Sequence, residues 1–237
     1  MNKARTKLLS IATALILIIC ILNISVVTKQ GVDCRLHEIK LPLYLKILNF
    51  VDRHYNYKHI VKSITGDTKD DNAKAIKILN WVYTNVRKSP KELPSIDDHP
   101  LHVLIRGYGA GDQFEDIFTI LCTYAGMDAF FKMFLNSSNR IYYISFVKIR
   151  GKWCPLSAFD GVYLTKNGSI ASVNDILLDK KLLAPFISNL GNFETDTFLR
   201  EIDNIDFNVW SVRAKGQSPG GRLLCIIRKF LYPNRVI

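Results

Sequence analysis

Residues 106–118 read RGYGAGDQFEDIF and place a glycine-rich turn directly before a helical pattern. Gly107, Gly109 and Gly111 let the backbone turn sharply and let another group approach it closely. The lysine and the serine or threonine that follow the glycines of a P-loop are missing, which disfavours a phosphate site of that kind. The turn therefore presents the residues at the helix start, where Asp112 is placed to cap the helix.

Helical patterns lie upstream of this turn and strand patterns lie downstream. Residues 70–88 begin with acids, carry apolar residues at 3- and 4-residue steps and end with two basic residues, which predicts a helix. Shorter helical segments are expected near residues 41–53 and 54–64, and a central helix capped by Asp112 is expected to run to about residue 125. The segments 129–135, 141–149, 151–157 and 161–165 then predict three or four antiparallel strands. Residues 172–190 look helical in one or two pieces.

The net charge of +11 is concentrated at the two ends of the chain. Residues 1–30 and 213–237 hold ten of the basic residues and no acid, so the body between them is nearly neutral. A nucleic-acid-binding protein would carry its positive charge on the folded surface, and we therefore expect no nucleic-acid partner.

The N-terminal excess precedes an uncharged apolar run over residues 8–27, LLSIATALILIICILNISVV. Such a run is long enough to cross a bilayer core of about 30 Å as a helix. Basic residues before it predict a cytoplasmic N-terminus, with the rest of the chain extracytoplasmic. A cleaved signal peptide and a lipoprotein signal ending at Cys20 are the alternatives.

The predicted organisation has five parts. Residues 1–30 form the membrane anchor or signal, 31–69 a helical lead-in, 70–178 the core, 179–215 a helical or mixed extension and 216–237 a basic amphipathic tail. That tail would either pack on the domain or lie on the membrane. Besides Cys20, the chain has four cysteines without a metal-type spacing: Cys34, Cys122, Cys154 and Cys225. The sequence leaves open whether two of them form a disulfide. We expect no metal and no cofactor.

The order of elements resembles the transglutaminase-like superfamily, whose fold is related to that of papain-type cysteine proteases. Four stretches within about residues 70–178 carry the resemblance: AIKILNWVYTNVR before the site, RGYGAGDQF as the nucleophile turn, LCTYAGMDAFF at the end of the central helix, and VKIRGKWCPLSAFDG in the later strands. The resemblance implies an α+β fold in which a helical N-terminal part and a central helix pack on a small antiparallel sheet, preceded here by one transmembrane helix.

Members of that superfamily use a Cys-His-Asp triad, and the resemblance places its three positions on this chain. The cysteine position falls on Gly111 and the aspartate position on Ser157. The histidine position falls on Tyr142, with an uncertainty of one residue along the strand, and the chain has no histidine after His102. The resemblance therefore implies a superfamily member without the nucleophile, base and orienting acid.

Other residues offer substitutes for the missing chemistry. Cys122 and Cys154 would make a thiol enzyme, but their places on the helix and in a strand favour structural roles. The loop with Asp97, Asp98, His99 and His102 could supply acid, base or metal ligands together with Asp112, which would make a hydrolase with non-standard chemistry.

The favoured hypothesis is a membrane-anchored extracytoplasmic domain that has lost catalysis and keeps its cleft for binding. A peptide or glycan of the cell envelope, or a protein partner, is the expected ligand. The candidate ligand-binding residues are Asp98, His99, Tyr108, Asp112, Gln113 and Tyr142.

Overall fold

The structure, a computed structural model, describes residues 3–32, 35–90, 97–191 and 193–207, together with residues 220, 221, 224, 227 and 231. Cys34, Cys225 and most of the predicted tail over residues 216–237 lie outside the described residues. The chain divides into two compact units. The first comprises Met1–Arg53 with Ser95–Asp98, and the second comprises His54–Pro94 with His99–Ile237.

The first unit contains a helix and a β-hairpin. Helix α1 spans Lys3–Leu22, and strands β1 (Ser25–Val32) and β2 (Arg35–Pro42) pair antiparallel over their full lengths. The hairpin leads into α2, Leu43–Thr65, whose second half belongs to the other unit. Sequence patterns predicted two helices over residues 41–64, whereas the structure has one continuous helix there.

The predicted transmembrane helix over residues 8–27 is not found. In the part of the chain that the structure describes, no helix is both long and apolar enough to cross a membrane. Helix α1 ends at Leu22, and residues 25–27 of the apolar run belong to strand β1. The uncharged helical stretch is therefore residues 8–22, about 22 Å long at 1.5 Å per residue, against about 30 Å for the bilayer core.

The second unit begins with the helices that precede the glycine turn. Helix α3 spans Asp71–Asn85, with Asp70 as its N-cap, and confirms the helix predicted there. Short strand β3 (Arg87–Lys88), helix α4 (Pro100–Arg106) and short strand β4 (Tyr108–Gly109) follow. Helix α5, Gly111–Tyr124, is the central helix, and Gly126 beyond it has a positive φ of 91°.

A four-stranded antiparallel sheet follows α5, in the order β5-β6-β7-β8. Its strands are Ala129–Leu135, Ile141–Ile149, Lys152–Ser157 and Val162–Tyr163, which confirms the predicted strands. Strands β9 (Thr165–Lys166) and β10 (Ser169–Ile170) form a small hairpin. Helices α6 (Val173–Leu178), α7 (Ala184–Asn189) and α8 (Thr195–Asp203) follow, with a 3-10 turn at Lys180–Leu183 before α7.

The sheet separates two hydrophobic cores because successive side chains of a strand point to opposite faces. On one face, residues such as Val147, Ile149 and Leu156 pack with α2, α3 and α5. On the other face, Ile144 and Phe146 pack with α6, α7 and α8 in a core rich in phenylalanine. The second unit is therefore an α+β fold of helices, sheet and helices, with the start of α5 on the first face.

Candidate functional site

The glycine turn between α4 and α5 needs its first two glycines for different reasons. Gly107 ends α4 in the left-handed region, with φ 76°. Gly109 packs so closely that a β-carbon there would lie 2.9 Å from Val103 Cγ1 and 3.1 Å from Gln113 Oε1. A larger residue at either position would distort the turn.

Hydrogen bonds from both sides hold the backbone of the turn. Arg87 N–H donates to the carbonyl of Gly107 at 2.9 Å and Ser89 N–H donates to that of Gly109 at 2.8 Å, which makes the parallel pairing of β3 with β4. Inside the turn, Gln113 Oε1 accepts from Arg106 Nη2 at 2.7 Å and from Ala110 N–H at 3.1 Å. The buried Gln113 side chain thus clamps the turn to the helix start.

The N-cap of α5 is Ala110, and the side chain that accepts a hydrogen bond from its N–H is that of Gln113, not Asp112. The helix begins at Gly111 with Ala110 as N-cap, so the prediction that Asp112 is the cap is wrong by two positions. Asp112 lies in the first turn, where a carboxylate interacts favourably with the positive end of the helix. The sequence placed the helix start two residues too late because glycine is a poor helix former.

Tyr143 of β6 faces Gly111. A β-carbon on Gly111 would lie 3.2 Å from Tyr143 Cδ2 and 3.9 Å from Phe159 Cδ2, so two aromatic rings border the position where the resemblance places a nucleophile. Of the two tyrosines within the one-residue uncertainty at the histidine position, Tyr143 is the one whose ring borders Gly111. Its neighbour Tyr142 points to the opposite face, as strand alternation requires.

Tyr142 packs in the second core. Its side chain is 7% exposed and its ring stacks on Phe134, with ring centroids 5.3 Å apart. Within the described residues its hydroxyl has no hydrogen-bond partner, and burial raises its pKa above the ordinary value. Tyr142 also lines the cavity described below, so its role as a ligand-binding residue stays a prediction.

The aspartate position holds Ser157, which is fully buried at the end of β7. Its hydroxyl donates to Asp160 Oδ2 at 3.1 Å. Asp160 Oδ1 in turn pairs with Lys88 Nζ at 3.2 Å, and the same ammonium lies 3.9 Å from the centroid of the Phe159 ring. A carboxylate is thus present near the expected place, but it is held by a lysine of the segment that follows α3.

Glu115 is a site residue that sequence reasoning missed. It is fully buried one turn below Gly111, and its carboxylate accepts hydrogen bonds from Ser145 Oγ, from Ala158 N–H at 2.8 Å and from Phe159 N–H at 3.1 Å. Burial raises the pKa of Glu115 to about 8, although these three donors favour the ionised form. The sequence signal for the burial of Glu115 was its position on the helical stripe that also contains Phe118 and Cys122.

Glu115 joins three elements around the helix start. Ser145 lies on β6 two residues from Tyr143, and Ala158 and Phe159 follow β7. Because Glu115 holds both segments to α5, it fixes the positions of the two rings that border Gly111.

The acidic and histidine loop is divided between the two units. Asp98 belongs to the first unit, where its N–H donates to the Gly31 carbonyl at 3.0 Å, and Asp97 there accepts from Gln30 Nε2 at 2.7 Å. His99 belongs to the second unit and caps α4: its Nδ1 accepts from Leu101 N–H at 3.3 Å. The ring of His102 lies 5.0 Å from that of His99.

Tyr108 and the two described cysteines of the second unit have structural contacts. The Arg106 guanidinium lies 5.2 Å from the centre of the Tyr108 ring. Cys122 and Cys154 are buried free thiols. Burial raises the pKa of Cys122 well above its ordinary value and that of Cys154 to about 12, so neither is an activated thiolate.

A cavity of about 250 Å³ opens beside the helix start. It is lined by Gly111, Ile141, Tyr142, Tyr143, Phe159, Asp160, Leu190 and Gly191. Its walls combine aromatic rings with a carboxylate that a lysine neutralises. Over the described ranges, no three histidine, cysteine, aspartate or glutamate residues are grouped to hold a metal ion. The cavity therefore presents aromatic surface and hydrogen-bonding groups side by side.

Comparison with known proteins finds a family match for the central part of the chain. Residues 58–158 match the sequence profile of the Transglutaminase-like superfamily. No curated protein matches the chain.

Three solved structures match part of the chain. The first comes from Cytophaga hutchinsonii and is described as a candidate cysteine protease, with 14% identity, TM-score 0.41, and coverage of 55% of this chain and 48% of the other. A candidate protease from Parabacteroides distasonis shows 13% identity and TM-score 0.38, with coverage of 56% and 36%. A TGase shows 9% identity and TM-score 0.38, with coverage of 70% and 50%. The chain thus spans half or less of each structure.

Proposed function

Residues 58–158 of this chain belong to the transglutaminase-like superfamily, and from this premise we propose that the chain is a non-catalytic member that uses its cleft to bind a ligand. The observation that carries the proposal is Gly111 at the nucleophile position, with the Tyr143 ring against it. A glycine supplies no nucleophile, and the ring beside it belongs to a tyrosine and not to the histidine that the superfamily uses as a base.

The ligand that we propose is a peptide or glycan of the cell envelope. The cavity has room for one ring or one side chain, and its aromatic and charged walls suit a ligand with both apolar and polar groups. The Gln113 clamp and the Glu115 hydrogen bonds support the proposal because they keep this cleft in one shape, which lowers the entropic cost of binding.

Membrane association through α1 is a further part of the proposal. Apolar side chains of α1 such as Leu8, Ile11 and Ile16 are 61–74% exposed. Exposed apolar side chains on a helix preceded by basic residues favour a lipid surface. Separation of membranes from soluble protein in lysates of cells that express the full chain tests this, and recovery of the chain in the soluble fraction would contradict it.

The test of the non-catalytic role is an assay of the full chain. We expect neither incorporation of a primary amine into a glutamine peptide nor hydrolysis of that peptide above background. Turnover that a thiol-alkylating reagent abolishes would contradict the proposal and would favour a cysteine enzyme.

The same assay addresses the alternative of a hydrolase that uses Asp98, His99 and Asp112. His99→Asn keeps a side-chain acceptor for the start of α4 but removes the imidazole. Turnover by the wild-type chain that is lost in His99→Asn and in Asp112→Asn would establish that alternative.

A further inference from the structure

The charged groups at the cavity beside Gly111 form a neutral pair, which does not favour a charged ligand. Its one carboxylate, Asp160, already pairs with Lys88 Nζ at 3.2 Å, and Lys88 also lies on the Phe159 ring. The pair is net neutral, yet it offers acceptor oxygens and donor N–H groups at the same place. A cationic ligand would have to displace Lys88, and an anionic one would face Asp160.

Aromatic surface lies on both sides of this pair. Tyr143 and Phe159 line the cavity itself. The next residue after Asp160, Gly161, packs on the Tyr83 ring, because a β-carbon on Gly161 would lie 2.8 Å from Tyr83 Cγ. The Tyr83 side chain is 50% exposed. An aromatic surface therefore continues from the cavity along the turn that follows β7.

The geometry points to a neutral glycan as the ligand, with one pyranose ring in the cavity and the next sugar towards Tyr83. A pyranose ring has an apolar C–H face that packs on aromatic rings and equatorial hydroxyls that both donate and accept hydrogen bonds. The cavity of about 250 Å³ is smaller than the 300–1,000 Å³ that is usual for drug-sized ligands and fits one ring. This inference rests on the proposed binding function and selects the glycan from the two ligand classes.

The experiment measures ligand binding to the full chain in a detergent without a sugar headgroup. The probes are cellotetraose, the tetramer of N-acetylglucosamine, the peptide acetyl-Ala-Gln-Ala amide, and Nα-acetyl-lysine amide (called acetyl-lysine amide), whose side-chain ammonium is free. Saturation-transfer NMR identifies the bound protons, and titration gives Kd. We expect at least one tetrasaccharide to bind with a Kd that changes little with salt, because a neutral ligand is not screened.

Three variants and one control test the contacts. Tyr143→Leu removes a stacking ring and is expected to weaken tetrasaccharide binding about tenfold. The matched control is Tyr55→Leu, which removes a tyrosine ring that is 64% exposed and does not line the cavity, and it should leave Kd unchanged. Asp160→Asn keeps groups that hydrogen-bond hydroxyls and should stay within about threefold of wild type, whereas Asp160→Ala should lose about tenfold. Thermal melting of each variant checks that it is folded.

Five outcomes decide between these possibilities. Tetrasaccharide binding with this variant pattern supports the glycan site. Binding of only the glutamine peptide overturns it, and so does the absence of binding by every probe. Binding of acetyl-lysine amide that Asp160→Asn and Asp160→Ala weaken equally would show an ammonium site instead. Turnover by the wild-type chain would overturn the proposed non-catalytic function, whichever probe binds.

Discussion

Tyr143 stands against the backbone of Gly111: a β-carbon added to the glycine would lie 3.2 Å from Cδ2 of the tyrosine ring. The start of α5 is thus covered by an aromatic side chain where the resemblance to the superfamily places a thiol facing an imidazole. The contact leads to a direct chemical test of the position.

A cysteine introduced at Gly111 should have a thiol pKa below the ordinary 8.5 or so, because the N-terminus of α5 stabilises the thiolate. The pH dependence of its alkylation by iodoacetamide, followed by peptide mapping, measures that pKa. A second substitution in the same chain, Tyr143→Ala, should speed the alkylation of this cysteine, since the tyrosine ring covers the site. Gly191→Cys is the matched control, because Gly191 lines the same cavity but does not start a helix. Equal pKa values for the two thiols would contradict this account of the helix start.

The buried Glu115 should make stability fall as pH rises. The unfolded chain loses this proton near pH 4.5 and the folded chain holds it until about pH 8. Between these values the unfolded state binds fewer protons, so the free energy of unfolding should fall by about 1.4 kcal/mol per pH unit and level off above pH 8. Urea unfolding across pH 5–9 measures this slope.

Glu115→Gln should remove this component of the pH dependence while keeping a carbonyl oxygen for the N–H groups of Ala158 and Phe159. Asp116→Asn, at the next position of the same helix, is the control and should keep the slope. A variant Glu115→Gln with the wild-type slope would show that Glu115 is ionised in the fold at neutral pH.

Loss of the Gln113 side chain should loosen the glycine turn. Gln113→Ala leaves Arg106 and the Ala110 N–H without this acceptor, and we expect the free energy of unfolding to fall by about 1–3 kcal/mol. Gln113→Glu keeps an acceptor oxygen and should lose less. The exposed Asn85→Ala serves as control and should stay within about 0.5 kcal/mol of wild type in urea unfolding. Equal stability of Gln113→Ala and wild type would mean that the clamp is dispensable.

Gly161 should tolerate alanine poorly for two separable reasons. It has φ 67°, and a β-carbon would overlap the Tyr83 ring. We expect Gly161→Ala to lower the free energy of unfolding by about 1–3 kcal/mol, and by less when Tyr83→Ala has removed the ring. A double-mutant cycle measures the difference. Additive effects of the two substitutions would show that the backbone conformation alone sets the cost.

The sheet and the central helix could be predicted from sequence because their signals are local. Strands β5 and β6 occur where the alternating patterns place them, and α5 ends just before Gly126 as predicted. The hairpin of β1 and β2 was missed because the apolar run of residues 8–27 continues past the end of α1, and hydropathy does not mark where a helix stops.

The site was harder to predict because its contacts are distant in sequence. Glutamate is a residue type that usually lies at the surface, and the burial of Glu115 depends on partners 30–44 residues away. Likewise, sequence left open which of Tyr142 and Tyr143 faces the helix start, since that choice depends on how β6 packs against α5. The resemblance gave Gly111 and Ser157 as triad positions, which stays a prediction, and the surroundings of these two residues required the fold.

The clamp at Gln113 has a consequence for how such a cleft changes over evolution. The hydrogen bonds that shape the turn come from Arg87, Ser89, Arg106 and Gln113, while those that position the neighbouring rings come from Glu115. None of these residues stands at a triad position. The residues that shape the cleft thus differ from those at the positions of the reacting groups. Substitution of the reacting groups leaves the shape of the cleft intact, and the cleft can then be selected for a new ligand.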